Sequence, residues 1–73
     1  MQAGKEIFLF QNIRQVILAE RWCLDNKVDA KVIPVPRPYS TECGLCLELS
    51  QEDGHRLQKF AEQQGMMTQR IKG

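Results

Sequence analysis

The sequence predicts a small α+β domain with two helices on one face of a sheet. Three observations predict it. A short apolar, aromatic run at residues 6–10 reads as a buried strand, and apolar residues at helical spacing follow Asn12. Leucines then alternate with other residues at 45–49, just ahead of a helix-start signal at Ser50.

Taken in order, the first strand is Glu6, Ile7, Phe8, Leu9 and Phe10. Asn12 caps the helix after it, because its side-chain oxygen can accept a backbone N–H of the first turn. Ile13, Val16, Ile17 and Leu24, with Cys23 beside them, form the expected apolar stripe. That helix should end near Asn26 and Lys27. Residues 30–35 form a second strand, in which Pro34 cannot donate to a ladder and therefore suits an edge or a bulge. Residues 37–44 are a loop. Leu45, Leu47 and Leu49 give a third strand with one apolar face, Cys46 and Glu48 lying on the other.

Ser50 and Asp53 resemble a capping box, opening a second helix over residues 51–64 with Leu57, Phe60 and Ala61 as its apolar stripe. Gly54 weakens its first turn by ~1 kcal/mol relative to Ala, and Gly65 is the C-cap candidate. Residues 66–71 are the candidate fourth strand. The order β-α-β-β-α-(β) describes a ferredoxin-like sandwich, a single domain over residues 1–73. The first strand is apolar on both faces, Ile7 and Leu9 on one, Phe8 and Phe10 on the other. Two helices on one face leave the second set to the chain's tail or to a second copy in a homodimer.

Composition excludes several function classes. Of 73 residues, 10 are basic and 9 acidic, a net charge of +1, with no basic run. Such a balance speaks against nucleic acid as a partner. No apolar run approaches the ~20 residues a membrane span needs. The start, Met1 to Glu6, lacks a signal peptide's basic head and apolar stretch, so the chain reads as cytoplasmic. Three cysteines in that compartment read as thiols rather than a disulfide framework.

The densest chemical signal is the segment from Pro36 to Cys46. Pro36 and Pro38 restrict the loop, and Ser40 and Thr41 can form local turns. Gly44 permits a positive φ and leaves Cys43 sterically open. Arg37 favours a thiolate at Cys43, whereas Glu42 opposes it; the thiolate is the nucleophile. Cys43 and Cys46 form a CxxC pair with three readings. A redox dithiol belongs at a helix start, whereas the leucines here predict a strand. A zinc site needs four ligands, and only Cys23 and His55 remain, so no metal or other cofactor is expected. The third reading is a single reactive thiol at Cys43. Cys23 reads as a core residue and His55 as solvated. Met66 and Met67 read as core filler, Trp22 as packed on the sheet or a partner, and Glu20 and Arg21 as a solvated helix face.

At this loop the chain resembles the Se/S carrier protein-like family, over nearly its whole length. The resemblance lies in the aromatic strand with Phe8 and Phe10, the helix carrying Ala19-Glu20, and the run Val32-Ile33-Pro34-Val35-Pro36-Arg37. Ser40 and Cys43-Gly44-Leu45 follow, Pro34 to Arg37 with Ser40 and Cys43-Gly44 being the most specific part. Tyr39 stands where an aliphatic residue is expected, a change in packing rather than in chemistry. The resemblance implies a carrier rather than an enzyme, holding sulfur or selenium on Cys43 as a persulfide or selenosulfide. Pro36, Arg37, Ser40 and Gly44 match the motif around it. The implied partners are a desulfurase-type donor and an acceptor protein. The competing expectations are a redox protein using Cys43 and Cys46, and a dimeric interaction module whose thiols are silent.

Overall fold

A computed structural model describes residues 4–39 and 44–72. The chain runs through β1 (Lys5–Leu9), α1 (Ile13–Asp25), β2 (Lys31–Pro34), β3 (Leu45–Ser50), α2 (Gln51–Gln63) and β4 (Gln69–Lys72). The described strands form one antiparallel sheet in the order β2-β3-β1-β4. This is the ferredoxin-like β-α-β-β-α-β arrangement that the sequence predicts. No helix among the described residues is long and apolar enough to cross a membrane.

Register decides which side chains meet the helices. Phe8 stands opposite Leu47, and Glu6 opposite Leu49. Directly opposed residues share a face, so these four lie together. Phe8, Phe10, Leu47 and Leu49 form one core with Val16, Ala19 and Cys23 of α1 and Leu57 and Ala61 of α2. Fully burying a Leu or Phe stabilises by roughly 1.5–3 kcal/mol, so this cluster supplies most of the holding energy. Cys46, Leu9, Ile7, Ile33 and Ile71 lie on the opposite face. Leu9 and Cys46 are buried there within the single chain, and Ile7 is half-buried.

The helix ends follow the sequence closely. Asn12 Oδ1 accepts from the Gln15 N–H at 3.0 Å, and Ser50 Oγ from the Asp53 N–H at 3.1 Å. Both helices close in the same way. Val28 N–H donates to Cys23 O at 2.8 Å, and Met66 N–H to Ala61 O at 2.9 Å. The residue before each donor is left-handed, Lys27 after α1 (φ 58°) and Gly65 after α2 (φ 70°).

Two expectations need correction. Ile13, Ile17 and Leu24 are exposed, at 44%, 57% and 69%. The core-facing stripe of α1 is Val16, Ala19 and Cys23 instead, about a quarter-turn round the helix. Small Ala19 and Cys23 let α1 approach the sheet, and hydrophobicity alone pointed to the wrong face. Met67 is likewise 71% exposed, whereas Met66 joins the core. Pro34 does lie in an edge strand. Val35 N–H donates to Gly44 O at 3.0 Å, and alternation then turns the Pro34 nitrogen outward, where no donor is needed.

Beneath α2 lies a buried ion pair. The Glu6 carboxylate is fully buried, and its Oε1 accepts from Arg70 Nη2 at 2.7 Å and Nε at 2.9 Å. The Arg70 guanidinium also lies 5.3 Å from the centre of the Phe8 ring. Glu6 Oε2 has no hydrogen-bond partner among the described residues. Gly54 makes room for the pair: a methyl there would overlap Glu6 Oε1 and come within 3.2 Å of Arg70 Nη2. A Gly→Ala change inside a helix ordinarily stabilises by about 1 kcal/mol. Overpacking of 1–3 kcal/mol or more opposes that gain here. Gly54→Ala is therefore expected to lower the unfolding free energy by roughly 2 kcal/mol. A urea midpoint at or above that of the native chain would refute this account of the glycine.

Candidate functional site

The thiol loop hangs from one end of the sheet, between β2 and β3. The Val35–Gly44 hydrogen bond closes its base. On the β2 side, Tyr39 N–H donates to Pro36 O at 3.0 Å, forming a turn whose Arg37–Pro38 peptide is cis. Pro36 is half-buried at the root of this turn; Arg37, Pro38 and Tyr39 are exposed. On the β3 side, Gly44 is exposed with φ 70°. A Cβ at Gly44 would meet nothing within 4 Å, so the glycine serves the backbone turn and not a tight packing contact. Of the residues predicted for the site, Cys43 and Ser40 lie outside the described residues. Pro36, Arg37, Gly44 and Cys46 all sit at this end of the sheet.

Cys46 is not solvent-facing. It is fully buried on the face away from the helices, opposite Leu9, and its Sγ lies 3.8 Å from the Pro34 carbonyl oxygen, to which it donates. The expectation of a polar face around Cys46 is thus corrected. Alternation placed it away from the helices, but that face is closed at this position. Cys23 is 1% exposed in the core between α1 and the sheet, as its sequence context suggests. His55 is exposed on α2. Among the described residues no three His, Cys, Asp or Glu side chains gather as a metal site.

Trp22 packs between the helices. Its ring stacks on Phe60 at 5.3 Å, and the Arg56 guanidinium lies 5.8 Å from its centre. The same neighbourhood acts on Cys23. Burial pushes its thiol up from 9.0 to about 11, the charges of Asp53 and Glu20 add to the rise, and Arg56 opposes it. Cys23 is therefore a protonated, shielded thiol at neutral pH, unsuited to nucleophilic work.

Sequence reasoning missed two features. The Glu6–Arg70 pair was hidden because its partners are 64 residues apart; Gly54 in the first turn of a helix was the available hint of a close approach. The second is a groove beside β4, whose residues come from two distant segments, Leu9–Asn12 and Met67–Gln69.

For Cys23, the sign of the pH effect follows from the shift. The folded chain keeps the Cys23 proton to higher pH than the unfolded chain does. Its contribution is thus fully present below about pH 9 and lost as the pH rises toward 11. Unfolding free energies measured from pH 8 upward should fall more steeply for the native chain than for Cys23→Ala. Equal slopes would rule the Cys23 effect out. In native buffer Cys23 and Cys46 should resist alkylation, each reacting only on unfolding.

Against this geometry stands one match to known proteins. The chain matches the family described as "Putative Se/S carrier protein-like" over residues 5–72. No curated protein and no solved structure matches it.

Proposed function

Because the chain belongs to the Se/S carrier protein-like family, we propose that it carries sulfur or selenium on the Cys43 thiol between a donor and an acceptor protein. The family match over nearly the whole chain carries the proposal. The cysteine pattern supports the choice of residue. Cys23 and Cys46 are both buried, while Cys43 adjoins the exposed Gly44 in a loop flanked by exposed Arg37, Pro38 and Tyr39.

In the proposed loading step, the Cys43 thiolate attacks the outer sulfur of a donor persulfide. A new S–S bond forms to Cys43 as the donor's own S–S bond breaks. The donor cysteine leaves as a thiolate, and the outer sulfur keeps its proton. One sulfane sulfur moves and no net oxidation occurs, so no oxidant is required. With selenium in the outer position the step is the same and yields a selenosulfide. Unloading is the reverse, with an acceptor thiolate as nucleophile.

Each structural element has a part in this reading. Gly44 supplies the backbone turn beside the thiol. Arg37 provides a positive charge to a loop that must hold an anion. Pro36, half-buried, restricts the loop at its root. The chain transfers its cargo and turns over no substrate of its own. A dithiol cycle between Cys43 and Cys46 is disfavoured by the complete burial of Cys46.

Intact mass after incubation with a persulfide donor tests the proposal. The native chain and Cys46→Ala should each gain the mass of one sulfur atom, removable by a thiol reductant, and Cys43→Ser should gain none. Sulfur uptake by Cys43→Ser would exclude Cys43 as the carrier. Loss of two hydrogens that depends on Cys46 would replace the carrier with a redox pair.

A further inference from the structure

Much of the apolar surface that the described residues leave uncovered gathers on one wall. Ile13, Ile17 and Leu24 of α1 are exposed there, with Val32 of β2. At the α-helical repeat the three helical residues fall within ~40° of arc, a stripe rather than a scatter. Trp22 lies nearly opposite the stripe and stacks on Phe60 of α2. Val16, Ala19 and Cys23 turn to the sheet. The stripe therefore faces away from α2, toward the edge strand β2. Val32, opposite Leu47 of β3, stands on the helix side of that edge. The open face of the sheet leaves less uncovered. Leu9 and Cys46 are buried on it, and Ile7, Ile33 and Ile71 are half-buried.

The charges of α1 run against its dipole. Its first turn has no acidic residue and carries Arg14; its last has no basic residue and ends on Asp25. A cation at the N-terminus and an anion at the C-terminus are each disfavoured within one helix. By contrast, α2 places Glu52 and Asp53 in its first turn. The reversed order suits an antiparallel neighbour, whose opposite end then lies beside each charge. Arg14 and Asp25 also stand on one border of the stripe, ~20° apart round the helix. Arg21 Nε lies 3.7 Å from Asp25 Oδ1 with both side chains largely exposed, which leaves the carboxylate room for a second cation.

We propose that this wall binds a second copy of the chain, α1 packing antiparallel on α1 across a two-fold axis. An axis beside the middle of α1 sets Arg14 level with the second copy's Asp25, and symmetry supplies the reciprocal pair. The same register brings the second copy's Leu24 level with Gln15, midway between Ile13 and Ile17. A projecting side chain thus meets a gap at the register that the charges select. That agreement favours a copy of this chain over another apolar partner. Near the axis the two half-buried Glu20 carboxylates approach each other and oppose the contact. The dimer is therefore weak, with a dissociation constant in the micromolar range. Association of this kind is independent of sulfur carriage by Cys43.

Sedimentation equilibrium in a thiol reductant, from micromolar to millimolar chain, reads the association. The native chain should pass from monomer to dimer. Leu24→Gln should raise the dimer dissociation constant about tenfold or more, folding being checked by protection of Cys23 from alkylation. Arg14→Glu and Asp25→Arg, each alone, should also raise it about tenfold, since each sets two like-charged pairs across the axis. Mixed in equal amounts, these two variants should associate as tightly as the native chain, because the mixed dimer pairs unlike charges at both contacts. A native chain monomeric throughout would overturn the proposal and leave the stripe to a different partner. A dimer that Leu24→Gln leaves unchanged would overturn it too, by placing the contact elsewhere. A mixture no tighter than either variant alone would overturn the antiparallel pairing.

Discussion

The buried carboxylate of Glu6 governs how the parts of this molecule meet. Arg70 reaches it from β4, α2 lies over it at Gly54, and β1 carries it in the middle of the sheet. A charged group taken wholly out of water must be paired. The strand that supplies Arg70 is therefore held against β1 by more than its few ladder bonds. The side chain at position 54 can be no larger than hydrogen for the same reason. A one-residue slip of β1 would turn Glu6 to the opposite face and carry Phe8 out of the core with it. Ion pair and core thus demand the same register.

That register is what organises the other end of the sheet. If Glu6 is opposite Leu49, then Leu9 must be opposite Cys46. The β2–β3 loop, the entry to α1 and the start of β4 then converge on one end. Antiparallel pairing and a shared core give rigidity below, and Arg37, Pro38, Tyr39 and Gly44 lie exposed at this end of the sheet.

The cysteines divide along the same line. Cys23 and Cys46 are small apolar fillers in this structure, on opposite faces of one sheet. Burial removes both from contact with electrophiles, and it raises the cost of ionising Cys23.

Local chemistry determined most of the fold. The caps at Asn12 and Ser50, the glycine that closes α2, Pro34 at a sheet edge and the alternating leucines of β3 all depend on neighbours within a few residues. Each was therefore legible in the chain itself. The position of the thiol loop followed from the same signals, as did the positive φ of Gly44. Which face of α1 turns inward was not legible, because Ile17 and Leu24 are more apolar than Ala19, and only close packing on the sheet favours the smaller residues. Nor could spacing reveal the burial of Cys46, the pairing of Glu6 with Arg70, or the meeting of Gln11 with Met67. These depend on contacts between segments far apart in the chain, and such contacts exist only once the strands have chosen their partners.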